Sequence, residues 1–420
     1  MTEISASQGP VARGSMARVG TATAVTALCG YAVIYLAARD LAPSGFSVFG
    51  VFWGAFGLVT GAGFGLLQET TREVRACSVG GSYLEVAPTR RTHPMRVAML
   101  VGVAAAVLIA GSSPLWSGRV FVEARPLSVA LLSVGLAGFC VHATLLGMLA
   151  GTNQWTRYGA LMVTDAVLRV AVAATTVALG WRLAGFLWST VAGAVAWLIL
   201  LVASPATRAT ARLLTPGGTA IFLRGAAHSI TAAGASAILV MGFPVLLKLT
   251  SAELGAQGGV IILAVTLTRA PLLVPLTAMQ GNLIAHFVDE RSDRIRALLA
   301  PAAIVGAIGA IGVVAAGVVG PWLLRVAFGA QYQAGSALLA WLTAAAVAIA
   351  MLTLTGAAAV AAALHRAYSL GWVGATVASG LLLLLPLSLQ TRTVVGLLCG
   401  PVVGIGVHLV ALSRATRSTG

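Results

Sequence analysis

Apolar stretches long enough to cross a bilayer follow one another along the whole chain, at about 16–38, 46–67, 96–113, 127–150, 158–179, 183–204, 226–248, 258–282, 299–320, 334–363, 369–390 and 393–412. A membrane-spanning helix needs about 20 such residues, so the pattern predicts twelve spans and an all-α integral membrane protein. The connecting segments are short, the longest being 68–95 and 205–225, so no sizeable soluble domain is inserted on either face. Whatever the protein does is expected to happen inside the membrane.

Composition agrees. Of 420 residues, 59% are hydrophobic and 9% charged, and the mean hydropathy is +0.96, which excludes a water-soluble globule. The net charge of +15 does not form a nucleic-acid patch, because the basic residues lie in short segments between apolar stretches. They read as topology signals. With the N-terminus cytoplasmic, 17 of the 26 Lys and Arg fall on the inner side, 7 on the outer side, and Arg169 and Arg269 lie within spans. Both termini are therefore expected to face the cytoplasm. The polar segment Met1 to Gly14 lacks the features of a cleaved signal peptide, so the first span is expected to stay. Cys29, Cys140 and Cys399 fall in apolar stretches and Cys77 in a connecting segment, which offers no disulfide framework and no paired metal spacing. No metal or cofactor is expected. No nucleotide-binding loop is present, so ATP is not used directly.

The chain carries a weak internal repeat. Segment 36–50 can be laid over 245–259, pairing Arg39 with Lys248 and Gly50 with Gly259, and Gln68 matches Gln280 at a similar offset. Each half then holds six spans in the same orientation, as parallel repeats about an axis along the membrane normal require. The expected organisation is a cytoplasmic tail (1–15), a first lobe of six helices (16–204), a cytoplasmic linker (205–225), a second six-helix lobe (226–412) and a cytoplasmic tail (413–420).

Arg39-Asp40-Leu41-Ala42-Pro43, followed by Phe46 and Phe49-Gly50, resembles the turn that opens polysaccharide-export flippases of the multidrug/oligosaccharidyl-lipid/polysaccharide superfamily. Phe328-Gly329-Ala330-Gln331-Tyr332 is similar to the segment that precedes span 10 in those proteins. Ala42 departs from the family, which commonly has Gly there. The resemblance implies two six-helix lobes around a cavity that opens alternately to each side and moves an undecaprenyl-diphosphate-linked saccharide outward across the bacterial cytoplasmic membrane. It also implies membrane lipids and envelope glycosyltransferases or a polymerase as partners. One alternative is an ion-coupled drug or metabolite exporter of the same superfamily, which would use acids to bind cations. Another is an integral-membrane polysaccharide polymerase or glycosyltransferase, for which the outer segments offer few acidic residues. A scaffold without transport activity is a further possibility.

Charges inside spans point to the chemistry, because a charged side chain at the bilayer centre costs about 2.5–3.5 kcal/mol on insertion scales. Arg269 lies mid-span, followed by Pro271 and Pro275, which can kink the helix. An arginine fork suits a diphosphate head group, and neutralisation by neighbouring carbonyls is the plainer account. Asp165 and Arg169 stand four apart on one helix face, in the order that favours pairing. Self-neutralisation competes with a cavity-facing or proton-coupling role, or with a gate in which Asp165 pairs with Arg269. His142 and His228 are candidates for a titrating step, though packed hydrogen-bonding histidines are commoner. His286, beside Asp289 and Glu290, reads as a solvated residue. Arg39 and Lys248 occupy equivalent outer turns, where they guide a released anion or simply snorkel. Gln68 and Gln280, with Asn282, Glu69, Arg72, Glu73 and Arg75, mark an inner vestibule or a solvated helix end. Gly50, Gly54, Gly57, Gly61 and Gly65 in span 2 predict close helix packing.

Overall fold

The computed structural model describes residues 13–79, 91–279, 283, 286–288 and 294–417. The first half holds α1 (Arg13–Asp40), α2 (Pro43–Val79), α3 (Pro94–Val120), α4 (Arg125–Gly151) and α5 (Trp155–Leu179). It continues with α6 (Arg182–Ala192), which runs through one 3-10 turn into α7 (Ala196–Ala203), and a short α8 (Pro205–Ala211). The second half comprises α9 (Thr219–Val240), α10 (Phe243–Leu249), α11 (Gly255–Ala278), α12 (Arg294–Val318) and α13 (Gly320–Phe328), then α14 (Ser336–Ala361), α15 (His365–Leu383) and α16 (Leu389–Arg417). Several helices open on proline, which needs no hydrogen bond for its missing N–H in the first turn. Ser204 caps α8 by accepting from the Thr207 N–H at 3.2 Å.

Every predicted apolar stretch is helical. Among the described residues ten helices are long and apolar enough to cross a membrane, and eleven spans result when α9 and α10, bent by 67°, count as one. The stretch 369–390 is the exception. Pro386 cannot continue a helix and disfavours helical backbone before it, so α15 stops at Leu383. The prediction for Cys77 is also corrected, because α2 runs on to Val79 and includes it.

The longest connecting segments are not free loops. Residues Arg91–Thr92 (β1) and Thr215–Pro216 (β2) pair antiparallel, Arg91 opposite Pro216 and Thr92 opposite Thr215, and Thr92 Oγ1 donates to Gly217 O at 2.9 Å. Helix α8 leans on α4 and α7.

Within the first half α1 packs on α5, and α2 and α3 on α4. In the second, α14 and α15 pack on α16, and α12 on α14. The halves meet where α2 crosses α9, α10 and α11. At the face where α1 turns into α2, one apolar core runs across both halves, from Phe46, Phe49 and Phe52 to Ile261, Leu263, Tyr332 and Leu338. At the other face, where α1, α3 and α5 begin (the N-terminal face), separate clusters form around Leu145 and Leu149 in the first half and around Phe287 and Leu354 in the second. Outward-facing positions on α3 and α12, such as Leu108 and Ile311, are exposed and apolar, as lipid contact requires.

The glycine face of α2 lies on the seam between halves. A Cβ at Gly61 would lie 2.6 Å from that of Ala237, and one at Gly65 would strike the backbone of Ile230 and Ser229. Gly50 meets Ile262, and its repeat partner Gly259 meets the Pro43 carbonyl, so the pair brackets the α2–α11 crossing. Gly65→Val is expected to destabilise the purified protein by about 1–3 kcal/mol through overpacking. Gly30→Val, facing open space, should leave the thermal midpoint unchanged; equal midpoints for both variants would refute the close-packing account.

Candidate functional site

A cavity of 1520 Å³ lies between the halves. It is lined by the middle of α2, by α5 at Tyr158 and Arg169, by the α9 residues from His228 to Val240 and the start of α15, and by portions of α6, α11 and α14. Aromatic rings wall part of it, Trp53, Phe56 and Phe64 from α2 in the first half and Tyr368 and Trp372 from α15 in the second. The ionisable lining among the described residues comprises Arg169, His228, His365 and Arg366 with Tyr158 and Tyr368, and no carboxylate. The lining is thus basic as well as amphipathic.

At the opposite face it is sealed. The Tyr332 hydroxyl donates to Leu41 O at 3.2 Å, with Phe46 and Phe328 edge-on to its ring. Burial pushes the Tyr332 phenol up, so it remains a protonated donor. Arg39 ends α1 beside Gly329 and stays exposed. The two segments quoted for the resemblance, Arg39–Pro43 and Phe328–Tyr332, therefore touch one another. Beside them Arg392 donates to Thr250 O at 2.8 Å and to Ser251 Oγ at 2.7 Å.

Asp165 and Arg169 form a fork, with Nε and Nη2 of Arg169 each 3.0 Å from a carboxylate oxygen. Nη1 donates to Thr190 O, and the guanidinium lies over the Phe56 ring at 5.4 Å. The 3-10 turn beginning at Gly193 makes room, since a Cβ there would overlap both partners. Arg169 faces the cavity and Asp165 stands behind it. Next to the pair His142 is buried and stacked on Phe139, with centroids 5.6 Å apart, and its Nδ1 has no hydrogen-bond partner among the described residues.

Arg269 lies elsewhere. It is buried behind the cavity wall, where Nη1 donates to Val240 O at 2.9 Å and Leu239 O at 3.4 Å, the last carbonyls of α9. Its guanidinium covers Phe243, the first residue of α10, at 5.3 Å. The arginine thus holds both sides of the 67° bend, in the position where a helix terminus favours a cation. The conditional Asp165–Arg269 gate is not formed, because each residue has its own partners. Pro271 and Pro275 leave α11 unbroken: one turn apart, they share a face and spare the bonds of the other faces.

Gln68 and His228 line the cavity, and His228 Nδ1 bonds Arg224 O at 2.8 Å. Lys248 is buried and donates to Ala252 O at 3.2 Å, within its own turn. Glu69 is buried and pairs with Arg72 at 2.6 Å. His286 is exposed. Gln280, Asn282, Asp289 and Glu290 lie outside the described residues. Sequence reasoning took Arg366 only as a topology charge and passed over His365, Tyr368 and Trp372. The one signal for them is the cluster of polar and aromatic residues that opens an otherwise apolar stretch.

No family model matches the chain. Uncharacterized protein Mb3654 of Mycobacterium bovis and Uncharacterized protein Rv3630 of Mycobacterium tuberculosis are each 81% identical over 410 residues, which cover 97% of this chain and 94% of theirs. Uncharacterized protein Rv1510 of Mycobacterium tuberculosis is 70% identical over 417 residues, 99% of this chain and 96% of its own. Among solved structures, the inward-facing conformation of a multidrug resistance MATE family transporter of the MOP superfamily superposes with a TM-score of 0.72 at 16% identity, covering 94% of this chain and 96% of that one. The outward-facing conformation of a multidrug resistance MATE family transporter of the MOP superfamily gives 0.66 at 17% identity, covering 96% of each chain. A MOP superfamily transporter from Pyrococcus furiosus, described with a binding pocket of reverse polarity, gives 0.63 at 14%, with 96% of both covered. The chain belongs to one family with these mycobacterial proteins, and it has the two-lobed all-α fold of the MOP superfamily transporters.

Proposed function

We propose that the protein is a flippase that carries an undecaprenyl-diphosphate-linked saccharide from the inner to the outer leaflet of the bacterial plasma membrane by alternating access, with both termini cytoplasmic. The cavity lining carries this reading: Arg366, which has no ion pair among the described residues, and Arg169, with His228 and His365 and no carboxylate among the described lining residues, suit an anionic head group. At 1520 Å³ the cavity exceeds the roughly 300–1,000 Å³ of sites for drug-sized ligands. The aromatic wall suits sugar rings or the first isoprene units. In this arrangement the cavity is loaded from the N-terminal face, while Tyr332 and Leu41 hold the other side shut. A drug exporter shares the fold, and the same aromatic wall favours it, but a cationic drug would meet arginines instead of acids. Envelope glycosyltransferases or a polymerase would supply and consume the cargo.

The test is outward appearance of a fluorescent undecaprenyl-diphosphate-linked sugar in proteoliposomes. The native chain should move it, and Arg366→Ala should slow it about tenfold, the worth of one charge-assisted hydrogen bond near 1.5 kcal/mol. Native protein that moves a lipophilic cationic dye but no lipid-linked sugar would replace the flippase reading with the exporter.

A further inference from the structure

A second cavity, of 480 Å³, lies at the N-terminal face, where the start of α1 meets the turn between α4 and α5. Arg18 and Arg157 line it with Gln154, Trp155 and Thr156. The turn is firmly built. Asn153 takes left-handed backbone at φ 57°, the Gln154 N–H donates to Leu149 O at 2.8 Å, and Gln154 Nε2 donates to Thr210 Oγ1 of α8 at 2.6 Å.

Among the described residues the charge here has no acidic partner. Arg18 donates to Thr156 Oγ1 at 3.1 Å, Arg157 to Gln154 Oε1 at 2.9 Å, and Arg75 of α2 reaches Asn153 Oδ1 at 3.4 Å. All three acceptors are neutral. The ion pairs among the described residues use Arg72 and Arg169 instead. Two guanidinium groups line the pocket and a third approaches the same turn, with donors to spare and no carboxylate among the described residues to balance them, which is the chemistry that takes a phosphate.

The surroundings say where that phosphate comes from. Trp155 lines the pocket and packs edge to face at 5.8 Å on Tyr158, and tryptophan is an amphipathic ring of the kind that sits at the membrane–water boundary. From there toward the bilayer, α1 and α5 pack through Ala22 and Gly159. Leu28 is 70% exposed and Val167 51% on the outward surface of this helix pair, while Gly20 and Gly30 face open space. An apolar surface thus starts at the mouth of a cationic pocket. We propose that the pocket holds the phosphate of an anionic glycerophospholipid, with its acyl chains laid along the α1–α5 surface. This is a lipid site separate from the central cavity, and it does not depend on what that cavity transports.

The test uses the purified full-length protein in detergent, with lipid binding followed by native mass spectrometry. Phosphatidylglycerol should bind, and phosphatidylcholine with the same chains should not displace it. Each cation near a membrane surface contributes about fivefold in affinity, so Arg18→Gln should weaken binding about fivefold and the Arg18→Gln/Arg157→Gln pair about twenty-five-fold. Arg212→Gln, an arginine outside the pocket, should leave binding at the native level and reports any general loss from reduced charge. The single variant changes an exposed side chain, so it keeps the test meaningful if the pair impairs folding. Unchanged binding in Arg18→Gln, equal binding of phosphatidylcholine, or glycerol phosphate alone binding as tightly as the lipid would overturn the proposal.

Discussion

Arg169→Ala is expected to abolish transport and to destabilise the folded protein by about 3–5 kcal/mol, the cost of leaving a buried partner charge alone. The carboxylate of Asp165 would keep its place behind the cavity wall without the two 3.0 Å hydrogen bonds that now neutralise it. Phe56 and the Thr190 carbonyl would lose the guanidinium as well. Asp165→Asn should cost less, because Arg169 retains Thr190 O and the water of the cavity. The double variant Asp165→Asn/Arg169→Ala should be more stable than Arg169→Ala, since no charge is stranded. Thermal unfolding of the four proteins in detergent forms a double-mutant cycle. Strict additivity would mean that the pair is not coupled and that the argument from burial fails. Transport separates the two roles: if Arg169 also touches cargo, the double variant recovers stability without recovering flux.

Arg269→Ala is expected to cost about 3 kcal/mol, combining charge-assisted bonds to buried carbonyls with the stacking on Phe243. The carbonyls of Leu239 and Val240 lie where the bend has removed the next turn of helix, so nothing in the chain replaces the arginine. Lysine should recover only part of the loss, because a compact ammonium cannot span two carbonyls and a ring. Phe243→Leu should cost less than Arg269→Ala, as the carbonyl bonds survive. The measurement is the thermal midpoint of detergent-purified protein. A head-group ligand would behave differently: Arg269→Ala would then retain full stability and lose only transport.

The fold was legible because twelve apolar stretches leave a chain little choice in a medium where every backbone group must be bonded internally. Even the departures have local causes that could have been read, such as Pro386 shortening α15 and the Gly242–Phe243–Pro244 run that bends the seventh span. The Asp165–Arg169 pair was visible in its spacing, since four residues on a helix settle who meets whom. Arg269 was not, because the choice between cargo and backbone depends on a break 27 residues earlier that frees two carbonyls. The cavity was legible least. Phe56, Arg169, His228 and Arg366 come together only through the crossing of helices distant in sequence, and no period along one helix records that. His408 makes the same point: buried between Thr355 at 3.0 Å and the Tyr368 carbonyl at 3.3 Å, it reads in the sequence as one polar residue in an apolar stretch.

The strand pair at the N-terminal face sets the geometry of any rocking motion. Residues 204–216 look like a flexible tether between the halves, yet Ser204 caps α8, Thr210 is held by Gln154, and Thr215 and Pro216 are paired to Thr92 and Arg91. All of these anchors belong to the first half. The tether is therefore cargo of that half, and the joint shrinks to the link from Gly217, at φ 92° with its carbonyl held by Thr92, to Gly218, just before α9 begins. With so short an axle, a second half that rocks would swivel about the start of α9 and could not slide away from its partner, which would confine alternating access, if the proposed function holds, to a change of angle.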